Sequence, residues 1–352
     1  MTAQPTSPRG RGASSNPPNR FERISLERDI DWDPTEDPAP RTEFLRDQTS
    51  TILAHNDSPD LGFDTSINVY RGCEHGCAYC YARPYHEYLG FSAGLDFETK
   101  IMVKEDAPEL LRKELSSPRW KPRMIGMSGV TDCYQPAERR FRITRRCLEV
   151  LAECRNPVAI VTKNFLITRD LDLLKELARY QAVAVFISVT SLDSDLAREL
   201  EPRTSMPRQR LAAIETLASA GVPVGVLIAP VIPGLTDHEM LPIVAQTAKA
   251  GASYAAYTVL RLPYAVKDVF ERWITEHAPL KKEKVLNQIR SLRGGELNDS
   301  DFGRRMTGEG HLAAQIAKTF EVATRKAGLW GREPVLSANS FRRPAGAQLT
   351  LF

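Results

Sequence analysis

Three cysteines fall close together at Cys73, Cys77 and Cys80, in the run Arg71-Gly-Cys-Glu-His-Gly-Cys-Ala-Tyr-Cys-Tyr81, a C-x3-C-x2-C spacing. Thiolates are the ligands of iron–sulfur clusters, and three of them can hold three corners of a cubic cluster. The fourth iron is then free to bind something else, and that corner is where chemistry can happen. On this reading the protein is an enzyme rather than an electron carrier. Gly72 and Gly76 supply the backbone freedom that a tight wrap needs. Zinc is the alternative: the three thiolates would then recruit His75, His86 or Cys133 as a fourth ligand. Zinc loops usually pair C-x2-C units from two separate places, and the sequence holds no second C-x2-C.

A scaffold must position that loop. The chain has 352 residues, 42% of them hydrophobic, enough for one large α/β domain with extensions or two medium domains. From about Ser66, apolar runs alternate with helical patterns. Strands are predicted at Ser66–Tyr70, Met124–Met127, Val158–Thr162, Ala182–Val189, Val222–Val231 and Ser253–Leu260. Helices are predicted at Arg139–Glu153, Leu171–Arg179, Arg208–Ala220 and His238–Ala250. This alternation predicts right-handed βαβ units and a parallel sheet, either open or rolled into a barrel. In both cases the ligand site lies beyond the C-terminal ends of the strands. The cysteine loop follows the first strand, so it belongs to that edge.

Three segments are expected along the chain: a largely disordered or extended N-terminal arm over 1–50, a core over 59–280, and a helical C-terminal extension with an irregular tail over 281–352. Residues 1–20 are rich in Pro, Ser, Gly and Arg, the composition of a disordered tail. The formal net charge of +3 is too small to argue for nucleic acid by itself. There is no signal-peptide pattern and no apolar run of membrane-spanning length, so a cytoplasmic protein with reduced thiols and no membrane partner is expected. The basic run Arg139–Arg146 reads as a solvated helix face or as a grip on phosphates. Tyr81, Tyr85, Tyr88, Tyr134 and Tyr257 are candidates to line a cavity or stack on a base, although most such residues serve packing.

The cysteine run, with Tyr79 before its last cysteine, resembles the signature of radical S-adenosylmethionine enzymes. The longer stretch 66–83, taken with Thr131-Asp132-Cys-Tyr-Gln-Pro-Ala-Glu138, is similar to the bacterial subgroup related to spore photoproduct lyase and often labelled "DNA repair photolyase". The resemblance covers about residues 50–280. It implies a partial (β/α)6 TIM-like barrel, with a [4Fe-4S] cluster on Cys73, Cys77 and Cys80. It further implies S-adenosylmethionine chelated at the open iron and cleaved by one electron to a 5′-deoxyadenosyl radical. That radical takes hydrogen from a substrate, either a nucleic acid base, as in a repair-like lyase, or a protein side chain. A reductant such as flavodoxin or ferredoxin is implied as partner. A structural metal-cluster module that binds nucleic acid, and a maturase acting on another protein, are the alternatives.

Carried over residue by residue, the resemblance places Tyr79 against the adenine and Thr131 or Asp132 at the methionine amino group, where Ser128-Gly129-Val130-Thr131-Asp132 replaces the family's GGE segment. The ordinary use of Asp132 is to cap a turn before Pro136. Lys163 and Ser188 fall near strand ends, within reach of the carboxylate or ribose. Arg203 is a candidate carboxylate partner, because arginine pairs bidentately with carboxylates. Gly225, in Gly225-Val-Leu-Ile-Ala229, would admit the adenine or simply pack in a strand. Spore photoproduct lyase carries a hydrogen-donor cysteine just before its Thr/Ser-Asp segment. Met127-Ser128-Gly129 stands there in this chain, and Cys133 follows the aspartate instead. The departure speaks against thymine-dimer repair and makes Cys133 the candidate catalytic residue, with Cys147 and Cys154 expected in the core.

Overall fold

Runs rich in Val, Ile and Phe, such as Val158-Ala-Ile-Val-Thr162 and Val183-Ala-Val-Phe-Ile-Ser188, suit strands that are covered on both faces. The computed structural model, which describes residue 8, residues 10–22 and residues 40–344, shows them in that role. Its strands are β1 (Glu43–Arg46), β2 (Leu53–His55), β3 (Thr65–Ile67), β4 (Tyr70–Arg71), β5 (Lys100–Val103), β6 (Ile125–Met127), β7 (Val158–Thr162), β8 (Val183–Ser188), β9 (Val224–Val231) and β10 (Ala255–Val259). The main sheet has the order β10-β9-β8-β7-β6-β3-β2. The six strands from β3 to β10 are parallel, and β2 adds an antiparallel edge. β3 and β10 do not pair, so the sheet is a partial (β/α)6 barrel rather than a closed one. A second sheet, β1-β5-β4, flanks the cysteine loop.

Register decides which side chains face the lumen. Val161 pairs with Phe186, Phe186 with Gly225, and Ser188 with Leu227. Side chains alternate along a strand, so Val161 and Lys163, Phe186 and Ser188, and Gly225 and Leu227 share the inner face. The intervening Ile160, Val185, Ile187, Val226 and Ile228 are buried in the main core under the outer helices. A second apolar cluster joins Cys77, Ala78 and Tyr79 to Leu262, Phe270, Trp273 and Ile289. Helices Val266–His277 and Lys282–Leu292 therefore cover the cysteine loop.

Two expectations change. The helix predicted over Arg139–Glu153 breaks at Arg142, which has φ 52°, into Glu138–Phe141 and Ile143–Cys154. The buried Glu138 carboxylate accepts from the Thr144 and Arg145 N–H groups there, giving the second helix its start. Residues 10–20 also depart from the disorder that their composition suggests. They run as an irregular segment of turns and bends against the cysteine loop, with Arg11 to Ser14 buried, because the Glu98 carboxylate accepts from the Gly12 and Ala13 N–H groups. The remainder of the expected arm, 1–7, 9 and 23–39, and the tail 345–352 lie outside the described residues. Among the described residues no helix is long and apolar enough to cross a membrane.

Candidate active site

The cysteine loop leaves β3 and β4 at the C-terminal edge of the barrel, where Gly72 (φ 79°) and Gly76 (φ 66°) adopt left-handed conformations that let it curl. Its backbone is held by main-chain bonds, such as Cys73 N–H to the Phe97 carbonyl, and by buried side chains. The fully buried Arg83 guanidinium donates to the Gly76 carbonyl at 3.3 Å and to the Cys77 carbonyl at 2.8 Å, and pairs with Glu98 at 2.5 Å. Ala78 N–H donates to the Leu200 carbonyl, and Glu74 N–H to Gln135 Oε1 at 2.9 Å. Cys73 and Cys77 are buried and Cys80 is partly exposed. Burial, then Asp132 and the other two thiols, push Cys73 well above the ordinary thiol range. Thiols in such a place ionise against a metal, not against water. Among the described residues, no three His, Cys, Asp or Glu side chains converge on a single ion position. Thiolates around a cube each bind a different iron and need not converge.

Below the loop sits a polar network at the barrel rim. Lys163, just past β7, donates to Ser188 Oγ at 2.5 Å and to the Ala229 carbonyl at 2.9 Å, and lies 3.4 Å from the Glu201 carboxylate. Its ammonium is 5.8 Å from the centre of the Tyr79 ring. Tyr79 Oη donates to Glu201, which also pairs with Arg210 and accepts from Thr190 at 2.8 Å. Burial opposes ionisation of Glu201, yet Arg210 and Lys163 hold its carboxyl down at about 2. Three sequence candidates, Tyr79, Lys163 and Ser188, are thus brought together. Glu201, Thr190 and Arg210 complete the network without having been singled out.

Other candidates sit elsewhere. Asp132 accepts from Thr162 Oγ1, Lys163 N–H and Tyr134 N–H, each at 2.8 Å, and faces His75 at 3.4 Å. Both its oxygens are engaged in tying β7 and the turn before Pro136 to the cysteine loop. Thr131 Oγ1 donates to the Tyr70 carbonyl at 2.9 Å. Arg203 lies outside the rim network, paired with Glu74 at 3.1 Å, while its N–H meets the His75 carbonyl. Gly225 faces the lumen, but a Cβ there would lie 2.0 Å from the Tyr254 ring, so its space is filled by protein. Cys133 is 2% exposed and belongs to the main core with Cys147. Thr144 Oγ1 donates to the Cys133 carbonyl and draws this turn onto the helix Ile143–Cys154.

On the other side of the loop opens a cleft of about 780 Å3, lined by Tyr81, Tyr85, Tyr88, Tyr264, Arg20 and Arg261 among others. The four tyrosines are 41, 54, 68 and 60% exposed. Arg261 lies 5.2 Å from the Tyr81 ring centre, and Tyr81 Oη donates to the Gly129 carbonyl at 2.6 Å. Tyr134 and Tyr257 are not part of the cleft: Tyr134 is buried against Asp170, and Tyr257 packs at a tilt against Phe320. In the basic run, Arg145 pairs with Asp170 and Asp172, the behaviour of a structural helix face.

An uncharacterized protein of Mycobacterium tuberculosis (strain ATCC 25618 / H37Rv) is 38% identical over 221 residues, covering 62% of this chain and 65% of its own length. The chain thus spans just under two thirds of that relative. An uncharacterized protein of Methanocaldococcus jannaschii is 28% identical over 222 residues, covering 63% of this chain and 79% of its own length. A solved structure of mutant spore photoproduct lyase with bound AdoMet and dinucleoside spore photoproduct shares the fold, with a TM-score of 0.58 at 18% identity over 80% of this chain and 78% of that one. Residues 67–246, from the strand that feeds the cysteine loop to the helix after β9, match the radical SAM superfamily, and the chain belongs to it.

Proposed function

We propose that this chain is a radical S-adenosylmethionine enzyme that acts on a nucleic acid base held in the tyrosine cleft beside Cys80. The superfamily works with a [4Fe-4S] cluster and S-adenosylmethionine. In this reading Cys73, Cys77 and Cys80 hold three irons, and the fourth takes S-adenosylmethionine. A curled loop that carries three closely spaced cysteines, with burial pushing the Cys73 thiol up, fits such a group. When bound, the pair supplies one-electron chemistry that abstracts hydrogen from the substrate, with the electron coming from a donor such as flavodoxin or ferredoxin.

The chain's own groups bind and orient. Lys163 and Ser188 offer an ammonium and a hydroxyl to the carboxylate or ribose of S-adenosylmethionine. Glu201 fixes Lys163 and Tyr79 together, so the rim and the cysteine loop keep one geometry. The aromatic helices over the loop exclude water from it.

The observation that carries the substrate reading is the run of exposed tyrosines that begins one residue after the last cysteine. Exposed aromatic faces beside arginines are how proteins stack bases and hold their phosphates. Acids such as Asp268 and Glu271 also line the cleft, so the tyrosines rather than net charge favour a base. The bound dinucleoside in the spore photoproduct lyase structure points the same way. Thiol-assisted dimer repair is not part of the proposal, because Met127-Ser128-Gly129 holds no cysteine where the lyase's donor falls, and Cys133, Cys147 and Cys154 pack in the main core.

The test is anaerobic turnover of the reconstituted protein with S-adenosylmethionine, dithionite and a deuterated single-stranded oligonucleotide. Deuterium in the 5′-deoxyadenosine is expected. Unlabelled 5′-deoxyadenosine with no oligonucleotide binding would overturn the substrate. Salt-sensitive binding without any 5′-deoxyadenosine would make the chain a binding module instead.

A further inference from the structure

We propose that residues 11–20 are a working part of the cluster site: a strap whose contacts hold the cysteine loop in its ligand-presenting shape. The strap lies outside the superfamily match of 67–246, so membership does not assign it a role. The inference rests on the cluster reading of Cys73, Cys77 and Cys80.

The cysteine loop depends in part on a buried side chain for its shape. Its carbonyls at Gly76 and Cys77 are held by the Arg83 guanidinium, which also donates to the Ala93 and Gly94 carbonyls. Arg83 is fully buried and needs a counter-charge, which the equally buried Glu98 provides. A buried carboxylate must in turn fill its remaining acceptor positions. The strap does this: Gly12 N–H donates to one Glu98 oxygen at 3.1 Å and Ala13 N–H to the other at 2.9 Å. Arg11 donates to the Glu98 carbonyl at 2.9 Å and to the Pro40 carbonyl at 2.9 Å. The approach is so close that a Cβ on Gly12 would sit 1.8 Å from the Gly76 carbonyl oxygen, between the first two cysteine ligands. Only glycine permits the contact.

The strap is anchored along its length, which separates it from a casual terminus. Asn16 exchanges two hydrogen bonds with Asp96, and Ser92 Oγ donates to the Pro17 carbonyl at 2.6 Å. Asn19 donates to the Glu87 and Phe91 carbonyls. Arg20 pairs with Glu87 at 2.6 Å and lies 3.7 Å over the Tyr264 ring, at the wall of the cleft. One short segment therefore ties the cluster loop, the helix Leu95–Thr99 and the tyrosine cleft to each other. Arg11, Gly12 and Ala13 are positioning residues in this scheme, acting on the cysteines through Glu98 and Arg83.

Gly12→Val tests it on the full chain, reconstituted anaerobically beside the wild type. The readouts are iron per chain, the bleaching rate of the cluster absorbance in air, and the change that S-adenosylmethionine makes in the electron paramagnetic resonance signal of the reduced cluster. Losing hydrogen bonds to a buried charge should make the loop open more often, so bleaching about tenfold faster is expected. An altered resonance signal is expected with it, and a far-UV dichroism spectrum like the wild type. If Gly12→Val fails to fold, Arg11→Gln, which removes only the guanidinium contacts, carries the same expectation in weaker form. Wild-type bleaching and signal in a folded variant would overturn the strap alone. A wild type that takes up no cluster would overturn the reading on which it rests.

Discussion

On the barrel side of the cysteine loop, the charges of the rim network are paired with one another. Lys163 meets Ser188, Ala229 and Glu201, and Glu201 meets Arg210, Thr190 and Tyr79. On the cleft side, Tyr85 and Tyr88 stand mostly in solvent, and Arg261 has a methionine sulfur as its side-chain hydrogen-bond partner. The contrast follows from burial. Charges removed from water must be paired before any ligand arrives, and pairing fixes their geometry. Exposed aromatic faces need no partner and can adapt to what is placed on them. The first arrangement suits one cofactor bound the same way at each turnover, and the second suits a substrate that varies in sequence. Breaking either side should therefore fail in a different manner.

The largest effect is expected at the loop that both sides share. Cys77→Ser should bring iron content well below the wild type after reconstitution and 5′-deoxyadenosine formation to background, while the apo chain keeps its fold. Metal analysis and chromatography of the nucleoside check this.

The next concerns the paired side. Glu201→Ala leaves Arg210 and Lys163 without their buried counter-charge, a loss of about 3–5 kcal/mol. Urea unfolding of the apo protein measures it. The same carboxyl sits at about 2 in the folded chain against an ordinary value of 4.5. Its contribution is therefore complete above pH 4.5 and is lost as pH falls through about 2, on the order of 3 kcal/mol in all. Glu201→Gln should flatten the acid limb of the stability profile. A wild-type acid limb in that variant would mean that Glu201 is not the anchor of the rim.

The Glu201–Arg210 pair has no signature in the sequence. Lys163 and Ser188 were accessible to reasoning because they fall near the ends of apolar strands, where any βα fold gathers its ligands. Glu201 and Arg210 come from the segment after β8 and from the helix behind it, and they meet only when that segment folds under the cysteine loop. Asp132 shows the turn-capping use that its sequence context equally allows. An acid in the expected segment looks like a ligand for an amino group, yet neighbouring N–H groups and Thr162 occupy it. Gly225 is similar, because the bulk that fills its space comes from Tyr254, in another strand's approach. The strap was invisible for a different reason. Pro, Ser, Gly and Asn read as disorder, and its order derives from backbone donors meeting an acid 85 and 86 residues away. The six parallel strands needed no such distant knowledge, since each carries its own apolar run.

A milder break of the paired side separates cofactor from fold. Lys163→Met removes one charge-assisted contact and should weaken S-adenosylmethionine binding about 10- to 100-fold, corresponding to the 1.5–3 kcal/mol of a hydrogen bond to a charged group. Oligonucleotide binding in the cleft should be unchanged. Equal losses of both ligands would mean that the two sides are one site, and the comparison would collapse.

The smallest effects belong to the open side. Tyr85→Ala should cost about 1–3 kcal/mol in affinity for a single-stranded oligonucleotide, the range for one stacked base, with iron content and melting temperature like the wild type. Arg261→Gln should act differently from the tyrosine. If it neutralises one phosphate, the logarithmic salt dependence of binding should become shallower by about 0.7, the single-strand value per phosphate. Fluorescence anisotropy across a salt series distinguishes the two variants. A tyrosine variant that changes the salt slope, or an arginine variant that leaves it intact, would assign the stacking and the charge to the wrong residues. The reason to expect separation is geometric: Arg261 lies 5.2 Å from the Tyr81 ring, whereas Tyr85 stands against Tyr88, with ring centres 6.5 Å apart. A base stacked on the exposed face of Tyr85 would leave the arginine free for the backbone that follows it.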